Sequence, residues 1–183
     1  VEKNDSSVPK PNSKVLIGEL FDKLNKPKIC QVEGHVYAGG LLIVSGCNYV
    51  IANSDIIFGL PEVKRGIFPM QVMESLSKII PFKKLIDWCV RGYDLDTNTA
   101  KKWGLVDELV QKNQMEKSIK KWLDDINLNS PSAINFGLKA AYEIKSVKSN
   151  HKYLSKMLTK LLETNDAKEG IQAFIEKRKP KWE

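Results

Sequence analysis

The first half of the chain alternates short apolar runs with polar breaks. Apolar positions recur at helical spacing before Asn25-Lys26-Pro27, which ends that amphipathic helix. β-branched and aromatic residues then cluster on either side of the polar turn Asn53-Ser54-Asp55, as is typical of two strands. The elements predicted for this half are a helix at 14–25, a buried strand at 28–32, a loop that turns into a buried helix at 38–46, and strands at 49–52 and 56–58.

Helical patterns dominate after residue 70. Gly104 fits the position just past a helix end, and Leu105-Val106 with Leu109-Val110 predict one more strand. Ser130-Pro131 is typical of a helix start, with Ser as the N-cap and Pro at the first helical position. Helices are predicted at 71–79, 83–90, 97–103, 113–126, 131–146, 150–164 and 167–177. This order predicts the α/β class, with a helical tail.

Length and composition narrow the class of protein. The chain has 183 residues, of which 42% are apolar and 28% charged, so it suits one domain with a hydrophobic core and excludes collagen-like or wholly disordered classes. No apolar run approaches the ~18 residues of a membrane span. Residues 1–13 are polar and contain prolines, which predicts a flexible lead-in rather than a signal peptide. Three cysteines without metal-type spacing favour free thiols in a cytoplasmic or other reducing compartment.

Charge adds an expectation about partners. Lys and Arg total 29 and Asp and Glu total 22, which gives a net charge of +7. Such a balance favours a polyanionic partner: a nucleic acid, an anionic membrane or a phosphorylated ligand. The lysine-rich helices at 113–121 and 145–160 have no alternating aromatics on which bases could stack, so nucleic acid is the less favoured partner. No cluster of His, Cys and carboxylates indicates a metal.

A series of motifs resembles a known family. In chain order, the motifs are Lys26-Pro27 before a buried strand, Ala38-Gly39-Gly40, Phe58-Gly59-Leu60-Pro61-Glu62-Val63 with Gly66-Ile67 and Pro69, Trp103-Gly104-Leu105-Val106, and Asp166 to Phe174. In this order and spacing they resemble the enoyl-CoA hydratase/isomerase (crotonase) family, from about residue 14 to the C-terminus.

The resemblance implies a fold, a division of the chain and an assembly. The fold would be the crotonase-like (ClpP/crotonase) ββα spiral core with a C-terminal helical trimerisation region. The chain would divide into a lead-in at 1–13, a partial core at 14–112 and a helical region at 113–183. Homotrimers or dimers of trimers would be expected. Family members also carry an N-terminal portion of paired strands and a loop with one oxyanion donor, and no such loop is found in this sequence.

The resemblance also assigns the chemistry, which proceeds through a thioester enolate. Such an enolate needs preorganised backbone N–H donors at the thioester oxygen. By resemblance, one donor is the N–H of Gly39. Glycine there allows the backbone to approach a ligand, and the start of a helix adds partial positive charge. The alternative is that Gly39-Gly40 forms only a close-packed turn between strand and helix.

Glu62 is the catalytic acid/base that the resemblance implies. Hydratases of the family use two glutamates, and the first would fall at Leu42, which cannot accept a hydrogen bond or move a proton. A single glutamate suits one-base chemistry such as enoyl isomerisation, although hydration by Glu62 alone is also open. The alternative for Glu62 is an ordinary surface glutamate.

Further residues are assigned to substrate binding by the same resemblance. Gly40, Pro61, Met70 and Tyr37 are predicted to line the acyl pocket, and Lys177 and Arg178 to meet the coenzyme A phosphates unless they are solvated surface charges. His35 is expected to have a structural or pocket-lining role.

The hypothesis is therefore an acyl-CoA enzyme that isomerises or hydrates enoyl-CoA. It needs no cofactor or metal beyond the coenzyme A of its substrate. The alternatives are a catalytically silent CoA-binding homologue and an RNA-binding relative.

Overall fold

The computed structural model describes residues 16–129, 131–145 and 151–181, so the predicted lead-in at 1–13 and the N-cap Ser130 lie outside it. The first half holds α1 (Ile17–Lys23), β1 (Ile29–Val32), β2 (Val36–Tyr37), α2 (Gly40–Gly46), β3 (Tyr49–Asn53), β4 (Ile57–Gly59) and a 3₁₀ helix (Pro61–Arg65), called here the Glu62 helix. The second half holds α3 (Met70–Leu76), α4 (Phe82–Arg91), β5 (Asp94–Asp96), α5 (Thr97–Lys102), β6 (Glu108–Val110), a 3₁₀ helix (Lys112–Gln114), α6 (Met115–Asn127), α7 (Pro131–Lys145), α8 (His151–Leu162) and α9 (Asn165–Ile175). The predicted α/β class with a helical tail is confirmed.

The strands form two sheets of three. The first sheet has the order β1-β3-β6 and is entirely parallel, with Ile29 opposite Tyr49 and Ile51 opposite Glu108. The second has the order β2-β4-β5, in which β2 and β4 are parallel and β5 is antiparallel to β4. Parallel pairing requires a crossover, and α2 supplies the one between β1 and β3.

The central strand of the first sheet, β3, is covered on both faces, which explains its continuous apolar run. Val50 and Ala52 of β3 enter the main core, whereas Ile51 between them points to the opposite face. There Ile51 packs with Val110 and with Met115 of α6. A strand buried on both faces has no polar side, as β3 shows.

Two strands of the structure have no counterpart in the prediction. β2 has two residues and β5 three, and β5 reads Asp-Leu-Asp, so neither carries an apolar alternation. Both exist because they pair with β4 on its two edges. The strand predicted from Leu105-Val106 with Leu109-Val110 is confirmed only in its second half, as β6 (Glu108–Val110), and is wrong at Leu105-Val106. The Leu105 N–H donates to the carbonyl of Ala100, so these buried residues close the turn after α5 instead of pairing.

A buried lysine joins three parts of the fold. Lys28 is only 7% exposed, and its Nζ donates to the carbonyls of Phe21 and Leu24 at the end of α1 and to the Tyr142 hydroxyl of α7. The Asn48 side chain closes the group, since its Oδ1 accepts from the Lys28 N–H and its Nδ2 donates to the Tyr142 hydroxyl. A buried ammonium is stable only with such partners.

Lys28→Met is expected to lower the free energy of unfolding by about 1–2 kcal/mol, because methionine fills the space but removes the hydrogen bonds that Lys28 donates to the carbonyls of Phe21 and Leu24 and to the Tyr142 hydroxyl. Urea denaturation followed by circular dichroism measures the loss. Lys23→Met is the control, since Lys23 is an exposed lysine at the end of α1, the helix whose terminal carbonyls Lys28 binds. Equal stabilities of the two variants would contradict the role given to Lys28.

Candidate active site

Two parallel strands bring Gly39 and Glu62 to the same edge of the second sheet. Tyr37 of β2 lies opposite Gly59 of β4, and the Ala38 N–H donates to the Gly59 carbonyl over 2.9 Å. Because the strands are parallel, their carboxyl ends share one edge. Gly39 lies two residues beyond this pairing and Glu62 three. The predicted oxyanion donor and the predicted acid/base therefore leave the sheet side by side.

The turn before α2 presents a free backbone donor. Ala38 has φ +51°, a left-handed conformation that strains any residue but glycine, whereas Gly39 has φ −56°. Within the described part of the chain, the Gly39 N–H has no acceptor. A Cβ on Gly39 would meet nothing within 4 Å, while one on Gly40 would lie 3.1 Å from Val36. Close packing thus accounts for glycine at 40 but not at 39.

Glu62 is buried without a partner for one of its oxygens. The residue is 8% exposed, and its Oε2 has no hydrogen bond. Burial raises the pKa of the carboxyl above its ordinary value. The Glu62 helix begins at Pro61 and ends at Gly66, whose φ of +72° is left-handed. An ordinary surface glutamate is thereby excluded, and the burial of an unsatisfied carboxyl is typical of functional sites.

Of two titratable side chains near Glu62, Arg65 is charged and Cys89 is neutral. Arg65 lowers the pKa of Glu62 and so opposes the effect of burial. Cys89 of α4 is fully buried, and burial together with the negative charge of Glu62 raises the pKa of its thiol to about 12. The thiol therefore stays neutral at physiological pH and adds no charge beside the carboxyl.

The Glu62 helix is held by α9 through two glycines. A Cβ on Gly66 would collide with the backbone carbonyl of Asp166, and a Cβ on Gly170 would collide with the carbonyl of Arg65. Backbone therefore packs directly on backbone at this contact. The sequence predicts a helix at 167–177, but no signal in the sequence pairs the Asp166 to Phe174 motif with residues 62–66.

Among the residues predicted to bind the acyl group, two line a cleft whose lining includes neither Gly39 nor Glu62. Tyr37 and Gly40 line an open cleft of about 450 Å³ that also includes Val36 and Ile43. Pro61 is half-buried directly before Glu62, and Met70 is half-buried at the start of α3. Their roles in binding stay predictions.

The two residues predicted to meet phosphate follow α9. Lys177 has φ +55° and is exposed. Arg178 makes a bidentate ion pair with Glu169, at 2.5 and 2.8 Å, and a further pair with Glu176 at 2.5 Å. The guanidinium lowers the pKa of Glu169 to about 2. Binding of a phosphate by Arg178 stays a prediction, and it would compete with these carboxylates.

His35, Cys30 and Cys47 make contacts that the sequence does not indicate. His35 accepts a hydrogen bond at Nδ1 from the Ile57 N–H, which ties the loop after β1 to β4. A hydrogen bond between the thiols of Cys30 and Cys47 raises the pKa of Cys30 and lowers that of Cys47. A separate apolar cavity of about 610 Å³ between α6 and α7 contains none of the predicted site residues.

Residues 16–129, 131–145 and 151–181 contain neither a metal-type cluster nor a helix of membrane-spanning type. No group of three or more His, Cys, Asp or Glu side chains there is arranged to hold a metal ion. None of the helices in these ranges has the length and apolar character needed to span a bilayer.

Comparison with known proteins identifies the family. A sequence model of the enoyl-CoA hydratase/isomerase family matches residues 2–183. The chain belongs to this family. The resemblance inferred from the motifs is confirmed, and so is the crotonase fold: the crystal structure of a carnitinyl-CoA hydratase from Mycobacterium avium superposes with a TM-score of 0.80 at 30% identity, over 87% of this chain and 64% of that one.

Curated relatives in the enoyl-CoA hydratase/isomerase family are named for the addition or removal of water. A mevalonyl-coenzyme A hydratase of Aspergillus fumigatus is 30% identical over 163 residues, which cover 86% of this chain and 60% of the relative. A carnitinyl-CoA dehydratase of Citrobacter koseri is 31% identical over 172 residues, which cover 90% of this chain and 65% of the relative. The chain thus spans less than two thirds of the length of these relatives.

Proposed function

We propose that the protein adds water to, or removes water from, an acyl-CoA thioester, with Glu62 as its acid/base. The observation that carries this proposal is the buried Glu62 carboxyl with an unpartnered oxygen, at the same strand edge as the unpaired N–H of Gly39. A base of raised pKa next to a backbone donor is what enolate chemistry requires. The hydratase and dehydratase names of the relatives add support.

Loss of water can be written with this single carboxyl. Ionised Glu62 takes the proton from the carbon next to the thioester, and the electron pair of that C–H bond moves onto the thioester oxygen. The Gly39 N–H donates a hydrogen bond to this oxygen. The pair then returns to form the C=C bond as the C–O bond at the following carbon breaks. Protonated Glu62 gives its proton to the departing hydroxide, so water leaves and the carboxylate is restored. Hydration is the reverse.

Leu42 favours a second candidate, enoyl isomerisation. The Leu42 side chain packs against the main core at the position where a second glutamate is expected. Without that group, water has one fewer acceptor to orient it, whereas a proton moved from one carbon to another needs only Glu62.

An absorbance assay on the full-length protein separates the candidates. The conjugated thioester is followed in the ultraviolet with trans-2-enoyl-CoA and, separately, with trans-3-enoyl-CoA. We expect absorbance to fall with the 2-enoyl substrate. A rise with the 3-enoyl substrate and no change with the 2-enoyl substrate would show that the protein isomerises enoyl-CoA and does not add water to it. Coenzyme A binding without either signal would overturn both in favour of a silent CoA-binding homologue.

Gly39→Ala is expected to lower kcat/KM by about tenfold to a hundredfold, because the added methyl keeps the thioester oxygen from its donor. The melting temperature should not fall, since φ −56° suits alanine and the new Cβ meets nothing within 4 Å. Steady-state kinetics and thermal unfolding measure both effects. Gly137→Ala in α7 is the control for activity, because its Cβ also meets nothing within 4 Å and Gly137 is not among the predicted site residues. Full activity in Gly39→Ala would remove this donor from the mechanism.

We also propose that the protein assembles as a homotrimer or a dimer of trimers, as the family resemblance implies. Exposed apolar side chains on two helices support an interface, namely Ile17 and Leu20 on α1 and Ile171 and Ile175 on α9. Sedimentation velocity would give the mass, and a monomer at micromolar concentration would contradict the assembly.

A further inference from the structure

Arg65 lies on the same face of the Glu62 helix as the carboxylate. In a 3₁₀ helix, residues three apart are eclipsed, and Arg65 follows Glu62 by three. The guanidinium carbon of Arg65 stands 4.3 Å from the ring centroid of Phe174 on α9. The stacked ring fixes the direction of a side chain that would otherwise sample many rotamers.

The backbone contact between the Glu62 helix and α9 determines the position of the Phe174 ring. Gly66 and Gly170 allow the Glu62 helix and α9 to touch, since a Cβ on either would collide with the backbone of the other helix. Phe174 lies one turn after Gly170. The position of the ring, and with it the position of the Arg65 charge, therefore depends on the seating of α9.

A phenyl ring holds this cation without cancelling its charge. No carboxylate of the described residues pairs with Arg65, in contrast to Arg178, which is neutralised by two glutamates. An unneutralised guanidinium beside a buried carboxyl favours its ionised form.

We propose that Arg65, held against Phe174 of α9, is a positioning residue that keeps Glu62 ionised and ready to take the substrate proton. The inference rests on the function proposed above, because it assigns a task to Arg65 only if Glu62 is the base. It also gives α9 a part in positioning the base, through the contact of Phe174 with Arg65.

The other titratable groups that the structure describes around Glu62 do not supply this positive charge. From α4, Cys89 faces Glu62, and its raised pKa keeps it neutral. From α9, Asp166 meets Gly66 through its backbone carbonyl, and Glu169 is bound to Arg178. The side chain of Lys64, on the Glu62 helix itself, lies towards Gly92. Arg65 is the cation that lowers the pKa of Glu62 against the effect of burial.

The test compares four variants of the full-length protein: Arg65→Gln, Arg65→Lys, Phe174→Leu and the control Arg91→Gln. Arg91 stacks on Tyr93 at 5.0 Å, so its replacement also removes one charge and one ring contact. The pKa of Glu62 is read by ¹³C NMR of labelled glutamates, with the signal assigned through Glu62→Gln. The acid limb of the kcat/KM profile against pH is read in parallel.

Both readouts should move to higher pH in Arg65→Gln, and less so in Phe174→Leu, where the ring that orients Arg65 is lost. Arg65→Lys should restore most of the wild-type value, and Arg91→Gln should not differ from it. If Arg65→Gln does not fold, the comparison of Phe174→Leu with Arg65→Lys still tests the contact.

Failure of the inference is distinct from failure of the proposed function. A Glu62 pKa that stays unchanged in both Arg65→Gln and Phe174→Leu overturns the inference, whatever the activity. A wild-type protein without turnover, whose Glu62 pKa nevertheless rises in Arg65→Gln, overturns the proposed function and supports the Arg65 contact.

Discussion

Replacing Glu62 by glutamine is expected to lower kcat/KM by about 10²–10⁴-fold, the usual contribution of a positioned acid/base group. The amide keeps the size of the side chain, so the 3₁₀ helix and its burial should persist. What is lost is the proton transfer at the carbon next to the thioester, for which Leu42 offers no substitute. Steady-state kinetics on the substrate that responds in the absorbance assay measures this loss.

Stability should respond to the same substitution in the opposite direction. Burial raises the pKa of Glu62 in the folded protein, so the folded state binds this proton more tightly than the unfolded state does. The stabilisation is complete below the unfolded pKa and is lost as pH rises through the folded pKa. At pH 7, Glu62→Gln should therefore melt no lower than wild type, and the fall in stability with rising pH should be smaller in the variant.

Glu116→Gln serves as the control, because Glu116 is an exposed residue at the start of α6. It should change neither kcat/KM nor the melting temperature. Unchanged turnover in Glu62→Gln would show that another group moves the proton. A melting temperature well below wild type would show that the buried carboxylate stabilises the fold and is not kept for chemistry.

Gly170→Ala is expected to destabilise the protein by about 3 kcal/mol, near the upper range for an overpacked site. Its Cβ would collide with the backbone carbonyl of Arg65, and backbone cannot move aside as the end of a flexible side chain does. Either α9 lifts away or the Glu62 helix shifts, so kcat/KM should fall together with stability. Urea denaturation and steady-state kinetics on the same preparation measure the two effects.

Gly137→Ala provides a matched comparison of opposite sign. Gly137 also lies inside a C-terminal helix, α7, but a Cβ there meets nothing within 4 Å. Alanine should stabilise that helix by about 0.5–1 kcal/mol through backbone entropy alone. If Gly170→Ala is as stable as Gly137→Ala, the close contact between α9 and the Glu62 helix does not constrain the fold.

The sequence predicted those elements whose stability arises from their own pattern. β3 is a continuous apolar run rich in β-branched residues, and α4 and α6 carry apolar positions at the helical period; each lies within a few residues of its predicted bounds. β2 and β5 are too short to show a period, and they are strands only because β4 lies between them. Tertiary pairing decides such segments, and one-dimensional patterns do not contain it.

The residues of the candidate site also differ in whether a local motif or only a tertiary contact reveals them. Gly39 and Glu62 were found from local motifs, and the pairing of Tyr37 with Gly59 explains why two motifs more than twenty residues apart belong together. The contact of Arg65 with Phe174 joins residues more than a hundred positions apart in the chain, and Lys28 with Tyr142 is a similar case. Nothing in the residues themselves marks either pair.

The contact between α9 and the Glu62 helix has a consequence during synthesis. A hundred residues separate Arg65 from the first residue of α9, Asn165. At about 5–20 residues per second, this distance takes a ribosome roughly 5–20 s to translate. During that interval β2 and β4 can already pair, yet the helix that seats Arg65 does not exist. A nascent chain therefore carries Glu62 before it carries the helix that packs beside it, and the contact of Arg65 with Phe174 forms only after translation has passed α9.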